Sequence, residues 1–484
     1  MTALKKVQEL KMKPELKKPP NAWLFKKPSI DIQATIPMLD IEAMERIMYL
    51  VSENDPRDSD LTAGMTYFGQ MIAHDIVPAS REGSDVRAFV EESSISSNLD
   101  LASIYGNTNF QKDDAYFSKH GKFFFGRAKQ AAYGTDLLRN EKEVCIPDIR
   151  NDGNVITAQL HLFWQKLHNK VIDSYFNGHV DRGSDQFQLV RHFVTAVFHR
   201  IVVDEFLFQL LHPTIYQVYC LERQLFLLKG HSMTDIPREF SHAAFRMGHS
   251  MVRSHYRLQQ GADVVKLMDL FIRPNLHHEA IEPEHVIDWY LFFGRVTKGY
   301  ANSQNASRID LKISEFMRNI PVAGFNGLNM IEANLEAGEQ AELLPGNWFV
   351  EQIMADVPLA KATAMEDHPI ANYKASPLKG LEGPFPVKQL PLWAYVLIEN
   401  DTSQNIDWEQ KGHTAAHMGK VGSIIIAEVL MKSIGQVVID EAVQPLLDRF
   451  YYRLGHSQGH NKANKQTSDG SRLSMLDLIH FVNE

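Results

Sequence analysis

The chain has 484 residues and a mass of 55.2 kDa, with 44% hydrophobic and 23% charged residues, enough for a large buried core. Its formal charge of −9 and pI near 6.2 argue against nucleic acid as the main partner, and no apolar run approaches the ~18 residues of a membrane span. Two cysteines, Cys145 and Cys220, are too few for a disulfide framework, a zinc cluster or an iron–sulfur cluster, whereas 21 histidines make imidazole the ligand to look for.

Residues 1–28 form a separate zone, in which eight lysines face two acids and prolines stand at 14, 19, 20 and 28. Such an arm is expected to drape over the body or stay solvated, with contact to an acidic surface as the functional alternative. It contains no apolar segment of the kind a secretory signal needs, so a cytoplasmic location is expected. Residues 29–484 read as one mainly α domain with few short strands and long connecting loops.

Within 61–77, the apolar residues Leu61, Met65, Phe68 and Ile72 recur at helical period, as do Ile156, Leu160, Phe163, Leu167 and Val171. The apolar stretch 187–211 and a segment at about 237–255 are expected to be helical. So is 284–297, with Pro283 in its first turn. Residues 421–434 form a further apolar helix and 473–482 a short amphipathic one, while Gly, Pro and Asn mark connections near 320–329, 377–391 and 455–470.

Three positions carry chemistry. Gln70 and His74 are four apart, so both project from one face of the first helix, while Asp75 points about 100° away. The pair suits a proton acceptor beside a polar anchor, or equally a polar edge against another helix. His249 follows Gly248, with Arg246 three residues before it. A glycine inside a helix costs about 1 kcal/mol relative to Ala, which points to close approach of a flat cofactor or of another helix. Arg150 sits in a turn, Ile146-Pro-Asp-Ile-Arg-Asn-Asp-Gly, ahead of the helix at Val155. Spacing alone does not bring it to His74.

Together these segments resemble the peroxidase–cyclooxygenase superfamily, the animal haem peroxidases and their bacterial relatives. Phe68-Gly-Gln-Met-Ile-Ala-His-Asp75 resembles the distal-helix motif, and Asp100-Leu-Ala-Ser-Ile-Tyr-Gly106 the loop in which Asp and Tyr-Gly recur. Asp148-Ile-Arg-Asn-Asp-Gly and the helix ending His168-Asn169 resemble the distal-arginine turn and its helix. Ala244-Phe-Arg-Met-Gly-His249 resembles the proximal helix. Pro391-Leu-Trp-Ala-Tyr, Val421-Gly-Ser-Ile and Met475-Leu-Asp-Leu extend the ordered match to the end of the chain.

The resemblance implies haem, with His249 as axial iron ligand, Asn334 as its partner and Arg246 reaching the cofactor. It implies His74 as the distal base, with Arg150 and Gln70 beside it and hydrogen peroxide and small reductants as substrates. Family members with ester-linked haem use carboxylates where this chain has Ala73 and Gly153, so non-covalent haem b is expected. Ala337 replaces a family arginine. Asp75 matches a calcium ligand, which makes calcium a further candidate, although Ala102 lacks a hydroxyl expected in that site. Two rival readings stand: a fatty-acid dioxygenase, whose radical-forming tyrosine would occupy the place of Arg246, and a haem-binding protein with little turnover.

Overall fold

The structure, a computed structural model, describes residues 22–25, 41–42, 44–45, 48, 58–78, 96–106, 116–271, 277–295, 299–300, 302–320, 327–357, 390–403, 417–455 and 472–484. The periodic stretch 61–77 splits at Thr62. Strand β1 (Asp58–Thr62) runs directly into helix α1 (Ala63–Ile76), whose N-terminus is held where Ala63 N–H donates to the Gln304 carbonyl at 2.9 Å. Helix α2 (Val155–Tyr175) starts where the Asn154 side chain accepts the Thr157 N–H. Helix α3 (Asp185–Ile201) starts in the same way at Ser184 and continues as π-helix through Val202–Leu207.

These helices enclose the core. Phe68 of α1 packs its ring against Trp164 of α2, Phe198 of α3 and Phe206 beyond it, with centroids 5.0 to 6.2 Å apart. Around this centre lie α4 (Met330–Gln340), α5 (Gly346–Asp356), α6 (Leu392–Ser403), α7 (Lys420–Gly435), α8 (Gln444–Arg453) and α9 (Met475–Asn483). A capping box joins Ser474 and Asp477 at the start of α9. The described strands are few, as expected. β2 (His255–Arg257) pairs antiparallel with β3 (Val264–Lys266), and β1 with β4 (Asn305–Ser307).

Buried carboxylates tie distant segments by accepting main-chain N–H groups. Glu399 accepts from Val421 at the start of α7, and burial raises its carboxyl to about 7. Glu428 accepts from Phe226, Leu227 and Leu228. Glu239 accepts from Leu24 and Phe25, and Arg238 lies over the Trp23 ring, so the described part of the basic arm is docked on the body. The rest of residues 1–28 lies outside the described residues.

Two expected helices are corrected. The segment 237–255 is a short α-helix (Arg238–Ser241) and a separate 3₁₀ helix (Ala244–His249), because Ala243 between them has non-helical dihedrals (φ −140°, ψ −77°). The segment 284–297 divides into a 3₁₀ turn (Pro283–His285) and a helix (Tyr290–Phe293), with Val286 extended between them. The expected loops at 320–329, 377–391 and 455–470 fall mostly outside the described residues. Among the described residues no helix is long and apolar enough to cross a membrane.

Candidate active site

Helix α1 buries most of its surface, but Gly69, Gln70, Ala73 and His74 are only half-buried. Their spacing makes one stripe that faces away from the core. The 3₁₀ helix Ala244–His249 packs against α1, and its Phe245, Gly248 and His249 are half-buried too.

His74 is held from behind. Its Nδ1 lies 2.9 Å from Asn151 Oδ1, Asn151 Nδ2 lies 3.1 Å from His161 Nδ1, and His161 Nε2 lies 3.2 Å from the Gln165 carboxamide. Asn151 and His161 are fully buried. With the Asn151 amide as placed, one proton assignment links the members of this chain. Asn151 donates through Nδ2, so His161 Nδ1 accepts and His161 Nε2 carries a proton. That proton needs an acceptor, and turning the Gln165 amide supplies one in its Oε1. Asn151 Oδ1 is then the acceptor for His74 Nδ1–H, which leaves the lone pair on His74 Nε2. Burial, reinforced by the nearby Arg150 charge, lowers the His74 imidazole to about 4, so it is neutral at pH 7.

Gln70 is oriented by the same kind of argument. Asn154 Oδ1 accepts the Thr157 N–H, so its Nδ2 faces Gln70, and Gln70 Oε1 also lies 3.0 Å from Thr157 Oγ1. With its carbonyl engaged, Gln70 presents Nε2–H to the stripe.

The structure does bring Arg150 to His74, but most of its guanidinium is committed. Nε and Nη2 donate to Asp148, Nη2 also to the His74 carbonyl at 2.6 Å, and Nη1 to the Val77 carbonyl at 2.7 Å. The arginine thus clamps the C-terminal turn of α1 to the 148–153 turn and sets a positive charge beside the imidazole. A buried ionic cluster supports that turn from below, where Arg139 bridges Asp136 and Asp152, and His277 Nδ1 lies 2.7 Å from Asp152.

On the 3₁₀ helix packed against α1, His249 Nδ1 lies 3.0 Å from Asn334 Oδ1, and Arg246 Nη1 donates to the same oxygen at 3.1 Å. Arginine has no acceptor, so the Asn334 atom facing it is the carbonyl, and His249 must donate through Nδ1. Its Nε2 therefore keeps the lone pair. Burial, and secondarily Arg246, lowers this imidazole to about 3, so it stays neutral. The segment is steadied by Trp393 Nε1, which donates to the Arg246 carbonyl at 3.2 Å.

These residues fit a haem. A neutral imidazole with a fixed Nε2 lone pair is an iron donor, a Cβ added at the neighbouring Gly248 would meet nothing within 4 Å, and the buried Asn334 Nδ2 has no partner.

Calcium fits less well. Asp75 Oδ2 and Oδ1 accept from the N–H groups of Leu101 and Ser103, both at 2.9 Å, with Leu101 in a left-handed conformation (φ 60°). Asp100 faces Arg191 at 4.0 Å, and Asn98 Oδ1 accepts from Gln436. The loop is closed by amide and guanidinium donors, short of the six to eight oxygens that calcium takes. Among the described residues no group of three or more His, Cys, Asp or Glu is placed to hold a metal ion.

His168 and Asn169 also act locally. His168 bridges Tyr105 and the Gly121 carbonyl, and Asn169 bonds both main-chain groups of Phe123.

Sequence reasoning missed Asn151, His161 and Gln165. The i, i+4 spacing of His161 and Gln165 was the available signal.

Among curated proteins no sequence matches this one. Solved structures do. Peroxidase A from Dictyostelium discoideum superposes with a TM-score of 0.53 at 16% identity, covering 87% of this chain and 86% of that one. The fatty acid alpha-dioxygenase of Arabidopsis thaliana gives 0.55 at 14% identity, covering 90% and 80%. That of Oryza sativa gives 0.53 at 12%, covering 84% and 74%. At such identities these likenesses establish the fold they share. The animal haem peroxidase profile matches residues 90–336, just over half of the sequence. The chain therefore belongs to the animal haem peroxidase family, a family of haem-dependent oxidoreductases.

Proposed function

We propose that the protein is a haem peroxidase that reduces hydrogen peroxide while oxidising small organic or inorganic substrates one electron at a time. The observation that carries this reading is the pair of neutral imidazoles on two elements packed against each other, each with its Nδ1–H held by an asparagine carbonyl and its Nε2 lone pair left open. In this reading His249 Nε2 holds the haem iron, Asn334 orients the ring, and Arg246 offers its charge to a haem carboxylate. Ala73 and Gly153 carry no carboxylate, so the haem is of b type and non-covalent. Haem, once bound, supplies the capacity to take two oxidising equivalents from peroxide and release them singly.

The chain's own residues move the proton. His74 Nε2 accepts one from hydrogen peroxide and returns it to the oxygen that departs as water. Gln70 Nε2–H would donate to a peroxide oxygen, and the Arg150 charge would stabilise negative charge developing across the O–O bond. Asp75 is a structural tie in this reading, and calcium plays no part.

A fatty-acid dioxygenase is the second reading, because two of the matched folds are alpha-dioxygenases. Arg246, bonded to Asn334, stands where such enzymes carry their radical-forming tyrosine, and this favours the peroxidase. The test is turnover by the haem-loaded protein. Peroxide-dependent oxidation of a small phenol, with no oxygen uptake on a long-chain fatty acid, is expected. Fatty-acid-dependent oxygen uptake without phenol oxidation would reverse the assignment.

A further inference from the structure

Apart from the imidazole pair, two tyrosines share one histidine at the surface. The rings of Tyr290 and Tyr300 stack with centroids 5.5 Å apart and planes within 9°. His480 of α9 lies against both, with Nδ1 3.1 Å from the Tyr290 hydroxyl and Nε2 3.0 Å from that of Tyr300. The tyrosines are half-buried and the imidazole is exposed. A neutral imidazole has one N–H and one lone pair, so one phenol must donate its O–H to His480 while the other accepts. A phenol hydrogen-bonded to a base in this way can lose an electron and pass its proton on in the same event, which makes it easier to oxidise than a phenol without a base.

An aromatic path leads inward from this pair. Trp289, next to Tyr290, contacts Phe292 at 5.6 Å, Phe292 stacks on Tyr256 at 5.7 Å, and Tyr256 meets Tyr67 edge-on at 5.6 Å. Tyr67 belongs to α1, one turn before Gln70 and two before His74. The helix Tyr290–Phe293 docks tightly here, since a Cβ on Gly64 would sit 2.4 Å from the Phe293 ring. Oxidisable side chains thus run from the helix of the proposed site to the surface, separated by no more than one phenylalanine.

We propose that Tyr290, Tyr300 and His480 form a second oxidation site, for phenols carried on molecules too large to enter the pocket. The inference rests on the peroxidase reading, which supplies the oxidising equivalents. Each equivalent removes one electron from the phenol that donates to His480, and the hydroxyl proton passes to the His480 lone pair. A substrate phenol at the surface then gives one electron to the tyrosyl radical and its proton to solvent water, in balance with one proton taken up from water where peroxide is reduced. His480 returns its proton to the tyrosine oxygen, and the tyrosine is restored. For each hydrogen peroxide, two substrate phenols become phenoxyl radicals and two waters form.

The test uses the full-length haem-loaded protein, its Tyr290→Phe/Tyr300→Phe double variant, and two reductants: a small phenol and tyramine coupled to dextran. The double variant keeps both rings. It is expected to oxidise the small phenol at the wild-type rate but dextran-bound tyramine at least roughly tenfold more slowly. After peroxide alone, its tyrosyl electron paramagnetic resonance signal should shrink. An unchanged rate on dextran-bound tyramine overturns the proposal, including the case in which the radical signal falls, because the pair would then be only a sink for surplus equivalents. Wild-type protein that oxidises neither reductant overturns the peroxidase reading itself, and this inference with it.

Discussion

The two sides of the site use one device with different support. His74 and His249 each give Nδ1–H to an asparagine carbonyl and keep Nε2 open. Behind Asn151, however, the distal chain runs on through His161 to Gln165, all buried, and the turn beneath rests on the Arg139 cluster. Among the described residues, Asn334 is tied beyond His249 only to Arg246, and its amide nitrogen has no hydrogen-bond partner. The difference teaches which side carries its geometry within the protein. A buried hydrogen-bonded network favours one arrangement, so the distal imidazole is preset. The His249 imidazole, with less support behind it, would rely more on the haem proposed for it.

Breaking the distal support should have the largest effect. Arg139→Met leaves Asp136 and Asp152 buried without their cation, and a stability loss of about 3–5 kcal/mol is expected in urea unfolding.

His161 sharpens the comparison through pH. Burial lowers it from 6.5 to about 4, so the folded protein refuses a proton that the unfolded chain takes up as pH falls below 6.5. Its contribution to stability is therefore full above about pH 7, declines between 6.5 and 4, and is level below that. His161→Gln should remove roughly 3 kcal/mol of acid sensitivity between pH 7 and pH 4. An unchanged slope in denaturation measured at the two pH values would contradict the network.

His74→Ala should retain haem but react with peroxide at least ~10²-fold more slowly in stopped flow. Arg150→Met should slow the same step and also loosen the end of α1. Wild-type peroxide rates in both variants would remove the distal mechanism. On the proximal side Asn334→Ala should weaken haem affinity about 10–100-fold, read by titration, while leaving the distal network intact.

Local rules made much of this legible. Apolar spacing located α1 and α2, and the four-residue step from Gln70 to His74 did put both on one half-buried stripe. The proximal segment misled because an apolar run with small residues scores as helix, whereas Ala243 breaks it and Gly248 lies in a 3₁₀ turn. The Asn151–His161 contact was hidden. It depends on how Asp148 caps the turn that aims Asn151, and that direction is tertiary. Arg150 was found by motif, yet its attachment to the His74 and Val77 carbonyls could not be read from spacing.

The central claim is that His249 Nε2 holds a haem opposite His74. Haem titration into His249→Gly, followed by the Soret band with and without added imidazole, tests it most directly. The account predicts a helical protein that loses wild-type haem binding and regains it when free imidazole fills the space left by the side chain. A His249→Gly protein that binds haem with the wild-type affinity and spectrum, and ignores imidazole, would contradict it.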